Sequence, residues 1–382
     1  MDPLVSVLEA RQQLTTDVDE ITAGTLKRFR FDPAVFARTR ALVVDKTSPD
    51  GRLRVPVAAP GPEDFVNLAP RGSAEGEELA GLGRDALARG EVGVVVLAGG
   101  MATRFGGIVK AVVHVVANHS FLHLKLADIE GAALSAGGVV PVFLLTSFAT
   151  CDEIGKRVQE LPASRGRVQI LEQSVSMRLA DDGKVFRDAA GKPSLCATGH
   201  GDLLPTLRAS GALTRFRTAG GKLLMISNVD NLAATLDARV IGAHRRGGKS
   251  VTVEVVGKEA GDRGGVPLRV GGHLQVVEEF RLPEGFDGSR VPYFNTNTFI
   301  IDAEAIDRDF ALDWFLVRRK VDGREVIQAE RLLGQVTAFL PTQFLVVQRQ
   351  GREGRFLPVK DRDELRARMP EIQALVESSL AR

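Results

Sequence analysis

The sequence predicts an α/β fold in which a largely parallel sheet is covered by helices on both faces and is preceded by a helical segment. Three observations carry this reading. From Val92 onward, short apolar runs alternate with longer helix-like segments, the order that builds parallel sheets with crossover helices. The first of those runs, Val92 to Ala98, is apolar throughout, as a strand buried on both faces should be, and Gly99-Gly100 ends it abruptly. With 382 residues and 44% apolar content, the chain can build one large core, yet no stretch of it is long and apolar enough to cross a bilayer.

Val5 to Arg30 and Phe31 to Val44 carry helix-like apolar spacing. The second piece enters at Asp32-Pro33, where the aspartate can cap and the proline suits a first turn. Thr47 to Gly72, rich in Pro, Gly and Asp, reads as a surface connection. The expected division is therefore a helical preamble with linker over 1–75 and a main domain over 76–382. A helix over Glu77 to Ala88 leads into the central strand, and Ser120 caps a further helix that ends at Gly137-Gly138. Val139 to Thr146, Val168 to Leu171 and Lys222 to Asn228 read as strands, while Asp152 to Leu161, Leu203 to Arg217 and Ala233 to Arg246 read as helices. In the second half, Val251 to Val256, Leu274 to Phe280 and Phe294 to Ile301 are strands that add to the sheet and wall one side of a cleft. A helix over Arg324 to Leu333, a strand over Phe344 to Gln348 and a final helix from Arg362 complete the reading.

Composition narrows the function classes. Fifty basic residues against forty-eight acidic ones leave a formal charge of +2, which carries no nucleic-acid signature, and one Trp with one Tyr cannot build a base-stacking platform. The start MDPLVSVLEA lacks the basic and apolar regions of a signal peptide, so a cytoplasmic protein without a membrane partner is expected. Cys151 and Cys196 form no C-x-x-C pair and read as free thiols.

The stretch VGVVVLAGGMATRFGGIVK, Val92 to Lys110, joins a strand, a glycine turn, a guanidinium (Arg104) and an ammonium (Lys110). Glycines let backbone approach a ligand, and successive amides in such a turn can hold an anion, so the stretch reads as a polyphosphate cradle. The plain alternative is a strand-to-helix turn with two solvated cations. A Walker loop is excluded because Lys110 is followed by Ala111, and a dinucleotide fingerprint because Ala102 stands in the place of its second glycine. In sheets of this kind, ligands bind beyond the carboxyl ends of the strands. There the strand KLLMISNVDN delivers Asp230, a candidate magnesium ligand whose alternative role is a helix N-cap. His119 and His123, four apart, lack a third partner in sequence and read as surface residues rather than a zinc site.

Leu97, Gly99, Gly100, Thr103, Arg104, Gly106 and Lys110 resemble the nucleotidyltransferase signature L-x-G-G-x-G-T-R-x-G followed by Pro-Lys, with Ala102 and Val109 as departures. SNVDNLAATLD resembles the S-N-x-D-N-L-G-A-T-x-D block of the UTP-glucose-1-phosphate uridylyltransferases. In the same order along the chain, Leu171 to Ser174 resembles F-N-Q-S, Gly199 to Asp202 resembles P-G-H-G-D, Phe294 to Asn297 resembles F-N-T-N-N, and Arg355 to Lys360 is R-F-L-P-V-K.

That resemblance implies a Rossmann-like, GT-A-like nucleotidyltransferase fold with a mixed sheet, and magnesium-dependent transfer of uridylyl from UTP to glucose 1-phosphate. It implies a catalytic role for Arg104 on the β- and γ-phosphates, and for Lys110 and Lys360 on the α-phosphate and the sugar phosphate. Asp230 would hold the magnesium. Substrate would be met by Leu97, Gly99, Gly100, Gln173 (on uracil), Gly199, His200, Asn228, Glu278 and Asn295, the last two on the sugar. Relatives continue into a β-helical domain that mediates assembly. Only Asp361 to Arg382 follow the last block here, so that domain is not expected, and with it goes the usual basis for predicting an oligomer. Three alternatives compete: an N-acetylglucosamine enzyme, because Ala98 is written as in those relatives; a silent UDP-sugar-binding protein, because of Ala102 and Val109; and a dehydrogenase of similar topology.

Overall fold

The structure, a computed structural model, describes residues 18–46, 51–102, 107–116, 118–161 and 166–380. In chain order its main sheet takes β1 (Phe65–Asn67), β2 (Val92–Leu97), β3 (Val142–Thr146), β4 (Val168–Glu172), β5 (Leu223–Asn228), β6 (Val251–Gly257), β7 (Tyr293–Asp302) and β8 (Thr342–Val346). They lie side by side in the order β1-β8-β6-β7-β5-β2-β3-β4. Only β7 runs against its neighbours, so the sheet is mixed, as expected. The apolar run reads out directly in β2. Val92, Val94 and Val96 enter the hydrophobic cluster on one face and Val95 the cluster on the other, all at most 2% exposed.

Helices cover both faces: α1 (Glu20–Arg28), α2 (Pro33–Val44), α3 (Ala74–Ala88), α4 (Phe121–Ser135), α5 (Cys151–Glu160), α6 (Leu203–Ala209), α7 (Ala212–Thr218), α8 (Ala238–Gly247), α9 (Arg362–Ala367) and α10 (Met369–Leu380). Among the described residues none is long and apolar enough to cross a membrane. Asp32 caps α2 through the amides of Ala34 and Val35, and Ser120 caps α4 through the amide of His123. Helices α3 and α8 touch backbone to backbone, since a Cβ on Gly83 would run into the carbonyl of Ala238 and one on Gly242 into that of Leu79. The described part of the preamble packs on the strand Val175–Met177: Leu26, Phe29, Phe36 and Val43 share a small core with Val175, Met177 and Ile327.

Four expectations are corrected. Leu203 to Arg217 is not one helix, because Gly211 at φ 68° breaks it into α6 and α7. Arg324 to Leu333 is not helical: Arg324–Glu330 is a strand paired with Phe315–Val321 across Asp322 (φ 51°) and Gly323 (φ 75°). Positive φ at both central residues is the primed hairpin turn that Asp-Gly favours, and the β-branched Val326-Ile327 suits a strand. Ala233 to Asp237 is not helical, since α8 starts only at Ala238, capped by Asp237. The connecting stretch also does more than run over the surface, because Phe65–Asn67 joins the sheet as β1.

Arg355, from the R-F-L-P-V-K block, is a structural residue. It is 2% exposed and grips Glu254 on β6 through two bonds of 2.9 and 2.6 Å. Removing either partner would strand a buried charge at a cost of about 3–5 kcal/mol. Beside this pair the β6–β7 register slips between Val253 and Val255, and Asn297 takes a left-handed φ of 59°. Its amide bonds the side chain of Asn295 (3.0 Å) and its own side chain bonds Asn228 (3.0 Å), so the simple alternation along FNTN is broken by a bulge.

Candidate active site

The carboxyl ends of β2 to β5 open into a cavity of about 610 Å³. Of the residues singled out in the sequence, Leu97, Gly99, Gly100, Lys110, Gln173, Gly199, His200, Asn228 and Asp230 line it. The reason is topological. Strands β2 and β5 run parallel with Leu97 beside Asn228, so the glycine stretch after one faces the Asp230 turn after the other.

After β2 the chain forms a hairpin rather than entering a helix, Met101–Ala102 pairing with Ile108–Val109, which overturns the strand-to-helix alternative. The hairpin returns Lys110 to the strand end, where its amide donates to the carbonyl of Gly100 at 3.3 Å. Its ammonium forms an ion pair with Asp230, and the two side chains are 20% and 15% exposed. Arg104, with Thr103 and Gly106, lies outside the described residues.

Gln173 closes the other end. Its side-chain nitrogen packs where a Cβ on Gly99 would lie, and its side-chain oxygen is buried without a hydrogen-bond partner. An unpaired buried acceptor costs about 1–3 kcal/mol, which a donor on a ligand would offset. Ser147 steadies the same corner by donating to the carbonyl of Gly99 at 2.8 Å.

Gly199 to Asp202 is locked onto the chain after the 315–330 hairpin. Gly199 has φ 87°, and a Cβ there would meet the carbonyl of Arg331. His200 Nδ1 accepts from the amide of Leu333 at 3.0 Å, which leaves the proton on Nε2, and burial lowers the ring's pKa, so it is a neutral donor. Asp202 accepts from the amide of Ser174 (2.6 Å) and from Thr206 Oγ1 (3.2 Å) and pairs with Arg331, whose guanidinium stacks on Trp314 at 4.4 Å. One carboxylate therefore ties the glutamine segment to the histidine loop.

Glu278 and Asn295 come together outside the main cavity, where a Cβ on Gly265 would lie 3.2 Å from a polar atom of each. Burial pushes the Glu278 carboxyl up from 4.5 to about 7, with Glu330 raising it further and Arg281 opposing. A carboxyl raised in the folded state binds its proton more tightly there, so its contribution to stability is full below pH 4.5 and is lost as pH rises through 7. Glu278→Gln should therefore raise the melting temperature by about 2 °C or more at pH 8 and leave it unchanged at pH 4. Thermal melts at both pH values check this.

Lys360 is not brought to the cavity. It is exposed, its amide donates to Glu364 at 2.7 Å, and its charge acts on Asp262. Conversely, Arg178, Arg319, Gln328 and Glu330 line the cavity and were missed, three of them because the hairpin that carries them was read as helix or left unassigned. Arg319 pairs with Glu330 at 3.2 Å and Arg178 bonds Gln328 at 3.0 Å. Asp322-Gly323 between β-branched runs was the signal available.

His119 and His123 meet edge to face at 4.4 Å, and among the described residues no three His, Cys, Asp or Glu side chains are grouped to hold a metal. Magnesium, however, is ordinarily held by one or two carboxylates together with substrate phosphates. A single carboxylate, Asp230, beside an ammonium at the cradle end fits an ion that arrives with a nucleotide.

A family model described as "UTP--glucose-1-phosphate uridylyltransferase" matches residues 75–381. The chain belongs to this family. The uridylyltransferase of that name from Musa acuminata is 29% identical over 307 residues, covering 76% of this chain and 65% of that protein. That from Saccharomyces cerevisiae is 26% identical over 384 residues, covering 94% and 74%. The chain thus spans slightly less than two thirds of the Musa protein and, at 64%, of the one from Pyrus pyrifolia. Among solved structures, the uridine diphosphate N-acetylglucosamine pyrophosphorylase of Trypanosoma brucei superposes with a TM-score of 0.75 at 19% identity, covering 97% of this chain and 79% of that one. The UDP-glucose phosphorylase of the same organism gives 0.73 at 22%, covering 95% and 78%. Both share the fold, a mixed-sheet nucleotidyltransferase architecture.

Proposed function

We propose that this family member transfers the uridylyl group of UTP to glucose 1-phosphate and releases pyrophosphate. The observation that carries the reading is the buried, unpaired side-chain oxygen of Gln173 in the same cavity as the Lys110–Asp230 pair. A side-chain amide offers one acceptor and one donor side by side, the complement of the N–H and carbonyl of uracil. A relative from Leishmania major whose structure holds UDP-glucose shares the fold at a TM-score of 0.68 and 20% identity, and favours the same ligand class.

The nucleophile is the phosphate oxygen of the sugar 1-phosphate, and the bond that breaks joins the α- and β-phosphoryl groups. Both substrates are anions and the nucleophile is already ionised, so no general base is needed and catalysis is positioning with charge neutralisation. Gln173 orients the base against Gly99, and neutral His200 donates from Nε2 to a phosphate or sugar oxygen. Lys110 neutralises charge at the α-phosphate, and Arg104 would do so at the β- and γ-phosphates. Asn228, Asn295 and Glu278 are assigned to the sugar. Asp230 would hold a magnesium ion that supplies further charge neutralisation when bound. Incubating the pure protein with magnesium, UTP and a panel of sugar 1-phosphates, and measuring pyrophosphate, tests the reading and fixes the sugar. No release with glucose 1-phosphate would overturn it.

Gly99→Ala supplies a second check on the base site. The new methyl displaces the flexible end of Gln173 and touches no backbone, so the fold should hold while UTP affinity, read by calorimetry, falls about tenfold, the scale of one mispaired hydrogen bond. Unchanged affinity would remove Gln173 from the base site.

A further inference from the structure

Lys125 on α4 is a buried amine that the reading above leaves unused. It is 2% exposed, and its Nζ donates to the carbonyl of Ala234 at 2.7 Å and to Ser227 Oγ at 3.4 Å. Three residues on, and so on the same helix face, Asp128 accepts from the amide of Leu236 at 2.8 Å. From the other side Arg355 donates to the carbonyl of Thr235 at 3.1 Å, while the side chain of Asn231 bonds the carbonyl of Arg355 (3.2 Å) and the amide of Leu357 (2.8 Å). The bonds to the carbonyls of Ala234 and Thr235 and to the amide of Leu236 occupy backbone groups of the segment between β5 and α8, which is why it does not wind into the expected helix. Asp230 stands inside that segment, and one ammonium grips the chain on both sides of it.

Desolvating an ammonium costs several kcal/mol, so packing alone would be served better by methionine. Burial indeed lowers the amine to about 8, with Asp128, Asp230 and Glu254 drawing it back up and Arg355 adding to the drop. What the charge adds is a pair of anchors, at Ser227 and Ala234, and a fixed positive centre within electrostatic reach of Asp230.

We propose that Lys125 is a positioning residue for uridylyl transfer: by clamping the chain from Ser227 to Ala234 it sets the Asp230 carboxylate opposite Lys110. The proposal rests on the function proposed above. A displacement of about 1 Å at a reacting group costs about a hundredfold in rate, so partial release of this segment should cost about tenfold.

The test uses Lys125→Met, which keeps the stem and removes the charge, and Ser227→Ala, which removes one anchor and leaves the lysine in place. For Lys125→Met, kcat should fall about tenfold while UTP affinity measured without magnesium stays within about twofold, a split that follows from altered placement rather than altered base binding. Calorimetry of UTP with and without magnesium should show the enhancement of affinity by the ion reduced about tenfold in Lys125→Met and about threefold in Ser227→Ala, since one of two anchors remains. Wild-type kcat and an unchanged magnesium enhancement in folded protein would overturn the proposal. So would a fall in kcat that only matches the loss of folded protein, the remainder behaving as wild type. If Lys125→Met does not fold, Ser227→Ala decides in the same way. Should the wild type release no pyrophosphate with any sugar phosphate, the functional reading fails by itself. The calorimetric comparison then still supports the placement of Asp230 by Lys125 or overturns it.

Discussion

Asp230→Asn is expected to lower magnesium-dependent pyrophosphate release by about a thousandfold while the protein keeps its fold, the upper range for loss of one preorganised charge at a phosphoryl centre. The substitution keeps size and hydrogen-bonding capacity and removes only the charge. The competing role, a helix N-cap, is closed by the structure: α8 begins at Ala238, and the capping bond goes from the amide of Arg239 to Asp237 at 2.9 Å. Asp230 instead lies seven residues earlier, beside Lys110 at the rim of the cavity. An asparagine can still accept from that ammonium, so the melting temperature should stay within about 2 °C. Full activity in Asp230→Asn would mean that the carboxylate is only a counter-ion for Lys110.

What could be read from the chain followed the strength of local signals. The strand β2 declared itself through an apolar run closed by two glycines, and α2 and α4 through Asp32-Pro33 and Ser120, because burial and capping act on neighbouring residues. The 315–330 hairpin was lost because Arg324 to Leu333 was read as a helix, although the Asp322-Gly323 turn that fixes the hairpin and the β-branched Val326-Ile327 are local signals for a strand. The segment after β5 was lost for another reason. The tertiary hydrogen bonds that hold it go to Lys125, Asp128 and Arg355, 108 or more residues away in sequence, and no local pattern reports such partners. At the site the same division holds. Ordered motifs identified the residues that strand ends carry to the cavity, whereas Ser147, Arg178, Arg319 and Glu330 depend on how separate elements pack. Glu278 and Asn295 meet beside Gly265, and burial there, which no motif reports, pushes the Glu278 carboxyl up to about 7.

Lys110→Ala should slow turnover by at least about a hundredfold, the usual loss when one aimed charge donor is removed from a developing phosphoryl transition state. The cradle hairpin does not depend on this side chain, because Met101 and Ala102 pair with Val109 and Ile108 through the backbone, and the amide of residue 110 keeps its bond to Gly100. The variant leaves Asp230 without its ammonium, but that carboxylate is 15% exposed and can recover part of its hydration, so a large loss of stability is not expected. Charge neutralisation that strengthens as the new bond forms lowers kcat and kcat/KM together, whereas a role confined to holding UTP raises KM alone. Steady-state kinetics on folded Lys110→Ala, with UTP and glucose 1-phosphate each varied, separates these outcomes. Near-wild-type kcat would reduce Lys110 to a counter-ion of Asp230 and leave charge neutralisation at the α-phosphate to other groups around the cavity, Arg178 and Arg319 among them.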